Sequence, residues 1–183
     1  MQPIQCAALG DKAVGKTCLL LRYAYDDLPS EYDSTGFDCY DGIVKHNEEL
    51  YLVSLHDVTG DENYQTLLPW TYAEVDVVLL CFSVVTPSSF QNVKQKWLPH
   101  IQNNCPKTPF LLVGTKIDLR NDSNMLETLA ENNEKPITTE QGKELAQEIK
   151  AVKYVECSAV TRGSPLRWHV DAEIKLGLWK SGH

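Results

Sequence analysis

The sequence predicts an α/β domain with a largely parallel sheet. Three observations carry this: short apolar runs rich in β-branched residues, helical periodicity between them, and a glycine-lysine loop placed between the first run and the first helix. The runs are IQCAAL near residue 4, YLVSLH near 51, VDVVLLCF near 75, FLLVGT at 110–115 and KYVECSA near 153. Their length suits buried strands. Between them, Phe90, Val93, Trp97 and Ile101 share one helical face behind a Thr86-Pro87 start, and Pro99 is expected to kink or end that helix. Thr138 with Gln141 three residues on forms a capping box, followed by Leu145, Ala146 and Ile149 on one stripe. The polar stretch at 120–135 reads as a surface excursion with a short helix. Ligands in such folds bind beyond the carboxyl ends of the strands.

At 183 residues the chain suits a single domain spanning 1–183. The 17 Lys and Arg against 25 Asp and Glu give a net charge of -8, and no basic run forms a footprint for nucleic acid or anionic lipid. Six cysteines (Cys6, Cys18, Cys39, Cys81, Cys105, Cys157) lack a CxxC spacing, which favours buried thiols over disulfides or zinc. The segment MQPIQCAALG has no charged start followed by a long apolar core, so a secretory signal is not expected and a cytoplasmic location is. No apolar stretch approaches the roughly 20 residues needed to span a bilayer.

The first run leads into GDKAVGKT, Gly10 to Thr17, which matches GxxxxGK[ST] in the required strand-to-helix setting. Backbone N–H groups of such a loop, together with the helix N-terminus behind it, hold phosphate oxygens. Lys16 supplies a point charge to the terminal phosphates and the Thr17 hydroxyl can ligate Mg2+. Further pieces stand where a guanine-nucleotide switch needs them. Asp57 ends the third-strand region ahead of Gly60, which suits a carboxylate serving Mg2+ and an N–H aimed at a γ-phosphate. TKID at 115–118 follows FLLVG, so Asp118 can accept from the guanine edge while the Lys116 stem covers its face; CSA at 157–159 can offer a backbone N–H to the guanine carbonyl. Each fragment alone is weak, since Asp is common in turns after buried strands. Their order behind a phosphate loop gives them weight.

From about residue 3 to 163 the chain resembles a Rho-family small GTPase, closest to the Rac and cell-division-control branch. CFSVVTPSSFQNVKQKWLPHI, CPKTPFLLVGTKIDLR, KPIT and AVKYVECSA carry the resemblance, with the helix at 122–134 resembling the Rho-type insert. The resemblance implies a P-loop NTPase fold of the small-GTPase type: a six-stranded, mostly parallel sheet with one antiparallel edge strand and helices on both faces. It also implies GTP and GDP as ligands, Mg2+ as cofactor, and a role as a molecular switch in signalling to the actin cytoskeleton, cell polarity or membrane traffic. The nucleotide positions that match are Asp11, Ala13, Val14, Gly15, Lys16, Thr17, Cys18, Leu28, Thr35, Gly60, Thr115, Lys116, Asp118, Ser158 and Ala159, with Thr17, Thr35 and Asp57 toward the metal. Tyr32, Phe37, Asp38 and Tyr40 match the first switch segment, through which Rho-type effectors bind. That segment carries Ser34 where the family has Pro and Gly36 where it has Val, so ordering it costs more backbone entropy, roughly 0.5 to 1 kcal/mol.

The departures converge on the γ-phosphate. Lys12 stands where the family has Gly, Thr59 where it has Ala, and Asp61 where it has the Gln that orients the attacking water. Asp lacks the N–H that Gln donates, is one bond shorter, and carries charge of the wrong sign for the transition state. Losing one preorganised donor costs on the order of 10² to 10³ in rate, and an obstructed arginine finger forfeits roughly 10³ to 10⁵ more. Impaired hydrolysis is therefore expected, with Lys12 and Asp61 as degenerate catalytic positions beside Lys16, Thr35 and Gly60. The alternative is an active GTPase in which Lys12 imitates the finger and Asp61 orients the water; a Lys12–Asp61 ion pair would block both roles. Thr59 is either a phosphoryl acceptor or drift in a loop freed of catalytic demand. Leu28 replaces a Phe whose ring edge packs on guanine, which predicts faster exchange by up to about tenfold.

His56 and Thr66 also differ from family choices, on surfaces that exchange factors and dissociation inhibitors contact. The chain ends GLWKSGH without a CaaX cysteine, so no prenyl anchor is expected, and recruitment to endomembranes or the plasma membrane falls to partners. Residues 164–183 are expected to form a divergent C-terminal helix, docked on the domain or, on the alternative reading, lying at a membrane interface. A monomer is expected.

Overall fold

A computed structural model describes residues 2–25, 37–46, 49–58 and 74–161. Its elements in order are β1 (Gln2–Leu9), α1 (Lys16–Tyr25), β2 (Phe37–His46), β3 (Glu49–Val58), β4 (Val77–Ser83), α2 (Pro87–Asn92), a π-helical segment (Val93–Trp97), α3 (Leu98–Asn104), β5 (Phe110–Thr115), a 3-10 turn (Ile117–Leu119), α4 (Ser123–Glu131), α5 (Thr139–Glu148) and β6 (Lys153–Glu156). The six strands form one sheet in the order β2-β3-β1-β4-β5-β6. Every neighbouring pair is parallel except β2 with β3, which run antiparallel from Phe37↔Val58 to His46↔Glu49. The expected six-stranded, mostly parallel α/β fold is therefore present. Five of its strands were legible as apolar runs; β2, with Asp38, Asp41 and Lys45 among its residues, has no such run and was anticipated only through the resemblance.

Period-two alternation assigns each strand to two cores. On one face Ile4, Cys6 and Ala8 of β1 meet Leu79 and Cys81 of β4, Leu111 and Val113 of β5, and Leu19, Leu20 and Tyr23 of α1. On the other, Ala7, Leu9, Val78, Leu80, Phe82 and Leu112 lie under Val93, Trp97 and Ile101, with Leu145 and Ala146 of α5 and Ile149 at its C-cap. Helices therefore cover both faces. This double covering explains why the central strands are apolar without alternation in the sequence.

Of the two outcomes expected at Pro99, a kink or an end, the helix does not end there. The chain stays helical to Asn104, and the adjustment lies upstream, where the Leu98 N–H donates to Val93 O in a wide turn. A proline ring would meet the carbonyl four residues before it in a regular helix; widening the turn gives it room. The capping box of α5 forms as expected, with Thr138 Oγ1 accepting from Gln141 N at 3.2 Å and Thr138 N donating to Gln141 Oε1 at 2.9 Å. The short helix expected within 122–134 forms over Ser123–Glu131, with the Asp122 carboxylate capping Met125 N at 2.9 Å.

A polar lock joins the far edge of the sheet to α5. Arg120 donates to both Glu156 oxygens, at 3.0 and 2.5 Å, and Tyr154 and Thr139 hydroxyls donate to the same carboxylate. Burial alone would raise the Glu156 pKa, but these bonds outweigh it and hold the group below the usual range. Gly142 makes the packing possible, because a Cβ there would lie 2.1 Å from Tyr154 Cζ.

The cysteines are all free. Cys6, Cys81, Cys105 and Cys157 are buried thiols as expected; Cys39 is exposed and Cys18 half-buried, which corrects the expectation for those two. Among the described residues no helix is long and apolar enough to cross a membrane.

Candidate functional site

The loops after β1, β5 and β6 and the last residues of β3 lie together at the carboxyl ends of these strands, the place where an open α/β sheet presents its ligand crevice. The loop after β1 is built on unusual backbone. Gly10 has φ 146, Ala13 φ 63 and Gly15 φ 96, positive values that glycine tolerates best. Gly10 is also required sterically, since a Cβ there would lie 2.2 Å from Cys81 O. Helix α1 starts at Lys16, its first turn closed by Leu19 N donating to Gly15 O at 3.0 Å.

Lys16 is 5% exposed, and its ammonium donates to Gly10 O at 2.8 Å and Asp11 O at 2.7 Å, arching back over the loop that it serves. Burial lowers its pKa, opposed by the nearby Asp57 and Asp11. A buried ammonium on two neutral carbonyls favours an anion beside it. Next to it the Thr17 hydroxyl donates to the Asp57 carboxylate at the end of β3. Asp57 is 4% exposed, and burial raises its pKa despite Thr17 and Lys16. The donor set is a hydroxyl and a carboxylate, both hard oxygens, on a buried negative group lacking full compensation; this fits Mg2+. Among the described residues no group of three or more His, Cys, Asp or Glu is placed to hold a metal ion.

The opposite corner is tied by side chains. Thr115 Oγ1 donates to Val14 O at 2.5 Å and to Phe82 O at 3.0 Å, joining β4, β5 and the phosphate loop. Lys116 adopts a left-handed conformation (φ 59), its stem passing Gly15 and its ammonium donating to Ala13 O at 2.7 Å. Asp118, exposed on the following turn, accepts from the fully buried Ser158 Oγ at 2.5 Å. Val160 N and Thr161 N donate back to that hydroxyl, and Arg22 Nε fastens Ala159 O to α1 at 2.8 Å.

Asp11, Ala13, Val14, Gly15, Lys16, Thr17 and Cys18 are thus brought together with Asp57, Thr115, Lys116, Asp118, Ser158 and Ala159 in one crevice, with Lys12 exposed on the same loop. On β2, Asp38 caps Cys39 N at 3.0 Å, and the buried Tyr40 packs edge-on to Tyr25 at 6.3 Å; Phe37 begins the strand. His56 on β3 contacts Gln5 Oε1 at 2.6 Å. Leu28, Tyr32, Ser34, Thr35, Gly36, Thr59, Gly60, Asp61, Thr66 and the helix anticipated at 164–183 lie outside the described residues. Sequence reasoning missed Arg22 and Asn92 and took Trp97 for core alone. Bonds across tens of residues leave no local signature, and a helical Trp on an apolar stripe has no mark distinguishing a donor from a filler.

The model of the Ras family matches residues 5–164. The chain belongs to the Ras family. Ras-family GTPases bind GTP and GDP, typically with Mg2+, and act as molecular switches that engage effectors and exchange factors. The matched region contains the phosphate loop, Asp57, TKID and CSA, the segments that line the crevice described above.

Proposed function

We propose that this Ras-family protein is a Rho-type switch that binds GTP, hydrolyses it poorly, exchanges nucleotide quickly and therefore stands mainly in its GTP form. The observation that supports the reading is a contrast at one crevice: Lys16 is buried on the carbonyls of its own loop and Thr17 bonds to Asp57 at the end of β3, while Lys12, exposed on that loop, stands where the resemblance implies glycine. The sequence adds Asp61, Thr59 and Leu28, each on the side of slow hydrolysis or fast release.

In this reading Lys16 compensates phosphate charge, loop N–H groups hold the oxygens, and Asp118, oriented by Ser158, accepts from the guanine edge. Thr17 and Asp57 would hold Mg2+, which when bound neutralises charge on the phosphates. Asp61 has no N–H to offer the transition state, and Lys12 crowds the approach of water and of an arginine finger. Rho-type effectors read Tyr32, Phe37, Asp38 and Tyr40 in the GTP form, linking the switch to actin, polarity or membrane traffic; exchange factors act on a monomeric cytoplasmic protein that partners recruit to membranes.

The test is the nucleotide carried by protein isolated from cells, with single-turnover hydrolysis beside it. Predominantly GTP and a rate well below that of a Lys12→Gly, Asp61→Gln double variant are expected. Bound GDP, or a family-like rate that falls on Asp61→Ala, would overturn the reading in favour of an enzyme using Lys12 and Asp61.

A further inference from the structure

Asp11 puts a carboxylate inside a loop whose task is to receive phosphate, and a free carboxylate there would repel the ligand. It is not free. Its Oδ1 accepts from the Trp97 indole N–H at 2.8 Å and its Oδ2 from the Asn92 amide at 2.6 Å, so both oxygens are turned onto the helical segment beside the loop. The same residue's backbone carbonyl accepts from Lys16 at 2.7 Å. Side chain and main chain of Asp11 are therefore pinned on two sides.

Asn92 and Trp97 are five residues apart. In a regular helix, at about 100° per residue, they would stand about 140° apart and could not both reach one carboxylate. The π-helical segment Val93–Trp97 removes that difficulty, because a turn closed by bonds between residues five apart brings such residues nearly into line. Trp97 is itself immobilised: it is 1% exposed, with Lys96 Nζ 4.9 Å from its ring centroid and His100 edge-on at 5.9 Å. The irregular turn that accommodates Pro99 is thus also what forms the clamp.

We infer that Asp11, held by Asn92 and Trp97, is the positioning residue of the phosphate loop, and that the π-helical segment sets how long the diphosphate stays bound. The clamp keeps the loop's negative charge turned away from phosphate and fixes the carbonyl on which Lys16 rests. This rests on nucleotide binding at the loop, and it does not depend on how fast GTP is hydrolysed.

The test follows release of a fluorescent GDP from the full chain with Mg2+ present. Trp97→Phe keeps most of the buried ring and removes its N–H; Asn92→Ala removes the other donor from a half-buried position. Each should speed release by about tenfold, equivalent to about 1.4 kcal/mol. In an Asp11→Ala background, adding Trp97→Phe should change release no further, and the ³¹P resonance of the GDP β-phosphate should move in Asn92→Ala, which simple loss of packing would not do. Release unchanged in Asn92→Ala overturns the inference even if Trp97→Phe fails to fold. Additive effects in the Asp11→Ala background overturn it too. If the wild-type chain retains no GDP, the reading of the site falls first and the clamp with it, whereas a wild-type chain that holds GDP beside unaltered variants removes the clamp alone.

Discussion

At one corner of the crevice, the base corner of the proposed reading, Asp118 accepts from a fully buried serine, Lys116 is fastened to Ala13 O, and Arg22 ties down Ala159 O; at the other, its phosphate corner, Gly10, Ala13 and Gly15 hold positive-φ backbone and Lys12 is exposed. The first corner is stiffened by side chains that follow the family's own pattern. The second keeps its backbone and its buried Lys16, and alters the side chains that decide what happens to the terminal phosphate. On the proposed function, recognition of guanine and turnover of GTP are physically separable, since they would rest on different groups held by different means.

The sharpest way to break that separation is at Asp118. Asp118→Ala removes two charge-assisted hydrogen bonds to the base, each worth about 1.5 to 3 kcal/mol, so GDP affinity measured by titration should fall roughly 10²- to 10⁴-fold. The fold should survive, because Asp118 is exposed. A small loss would mean that the phosphate corner alone retains the nucleotide.

At the other corner the expected change is a gain. Lys12→Gly with Asp61→Gln should raise intrinsic hydrolysis by on the order of 10² to 10³, read in a single turnover, with GDP affinity within a few-fold of the starting protein. If affinity moves as much as rate, the two corners are not independent.

Most of this fold was legible because buried strands and stripes of helix are written in local pattern: FLLVGT forms β5 over the residues expected, and Thr138 with Gln141 makes its capping box. β2 was not legible, because an edge strand facing solvent needs no apolar run. Pro99 misled as a helix end because proline's effect was sought at its own position, while the helix absorbed it one turn earlier. At the site, the loop and TKID stood out because phosphate and guanine chemistry demand fixed residues at fixed spacing. Arg22 and Asn92 were invisible, since what matters about them is a partner 137 or 81 residues away.

The polar lock behind the base corner comes next in size. Arg120 and Glu156 are about one-fifth exposed, between a surface pair worth under about 1 kcal/mol and a buried one costing about 3 to 5 kcal/mol to break. Glu156→Ala should therefore cost about 2 kcal/mol in a denaturant titration at neutral pH. The sign of the pH dependence follows from the depressed Glu156 pKa: below its ordinary value of 4.5 an unfolded chain takes up the proton before the folded one. This part of the stability is present above that value and is lost as pH falls through the lower folded value, so the gap between wild type and Glu156→Ala should close on acidification. A gap independent of pH would make the loss one of packing, and the base corner would owe its stiffness to shape.

The smallest effect tests whether the base corner is fully intact. The Rho-type reading implies that Leu28 replaces a Phe whose ring edge would pack on guanine, a contact worth roughly 0.5 to 1.5 kcal/mol. Leu28→Phe should slow release of a fluorescent GDP by up to about tenfold while leaving single-turnover hydrolysis unaltered, because the ring touches the base and not the reacting phosphate. Slower release with unchanged hydrolysis would extend the separation of the corners to the kinetics of exchange. Unchanged release would mean that Asp118, Lys116 and Ser158 already hold the base as firmly as an added ring can, and the fast exchange proposed for this protein would then have to originate at the phosphate loop.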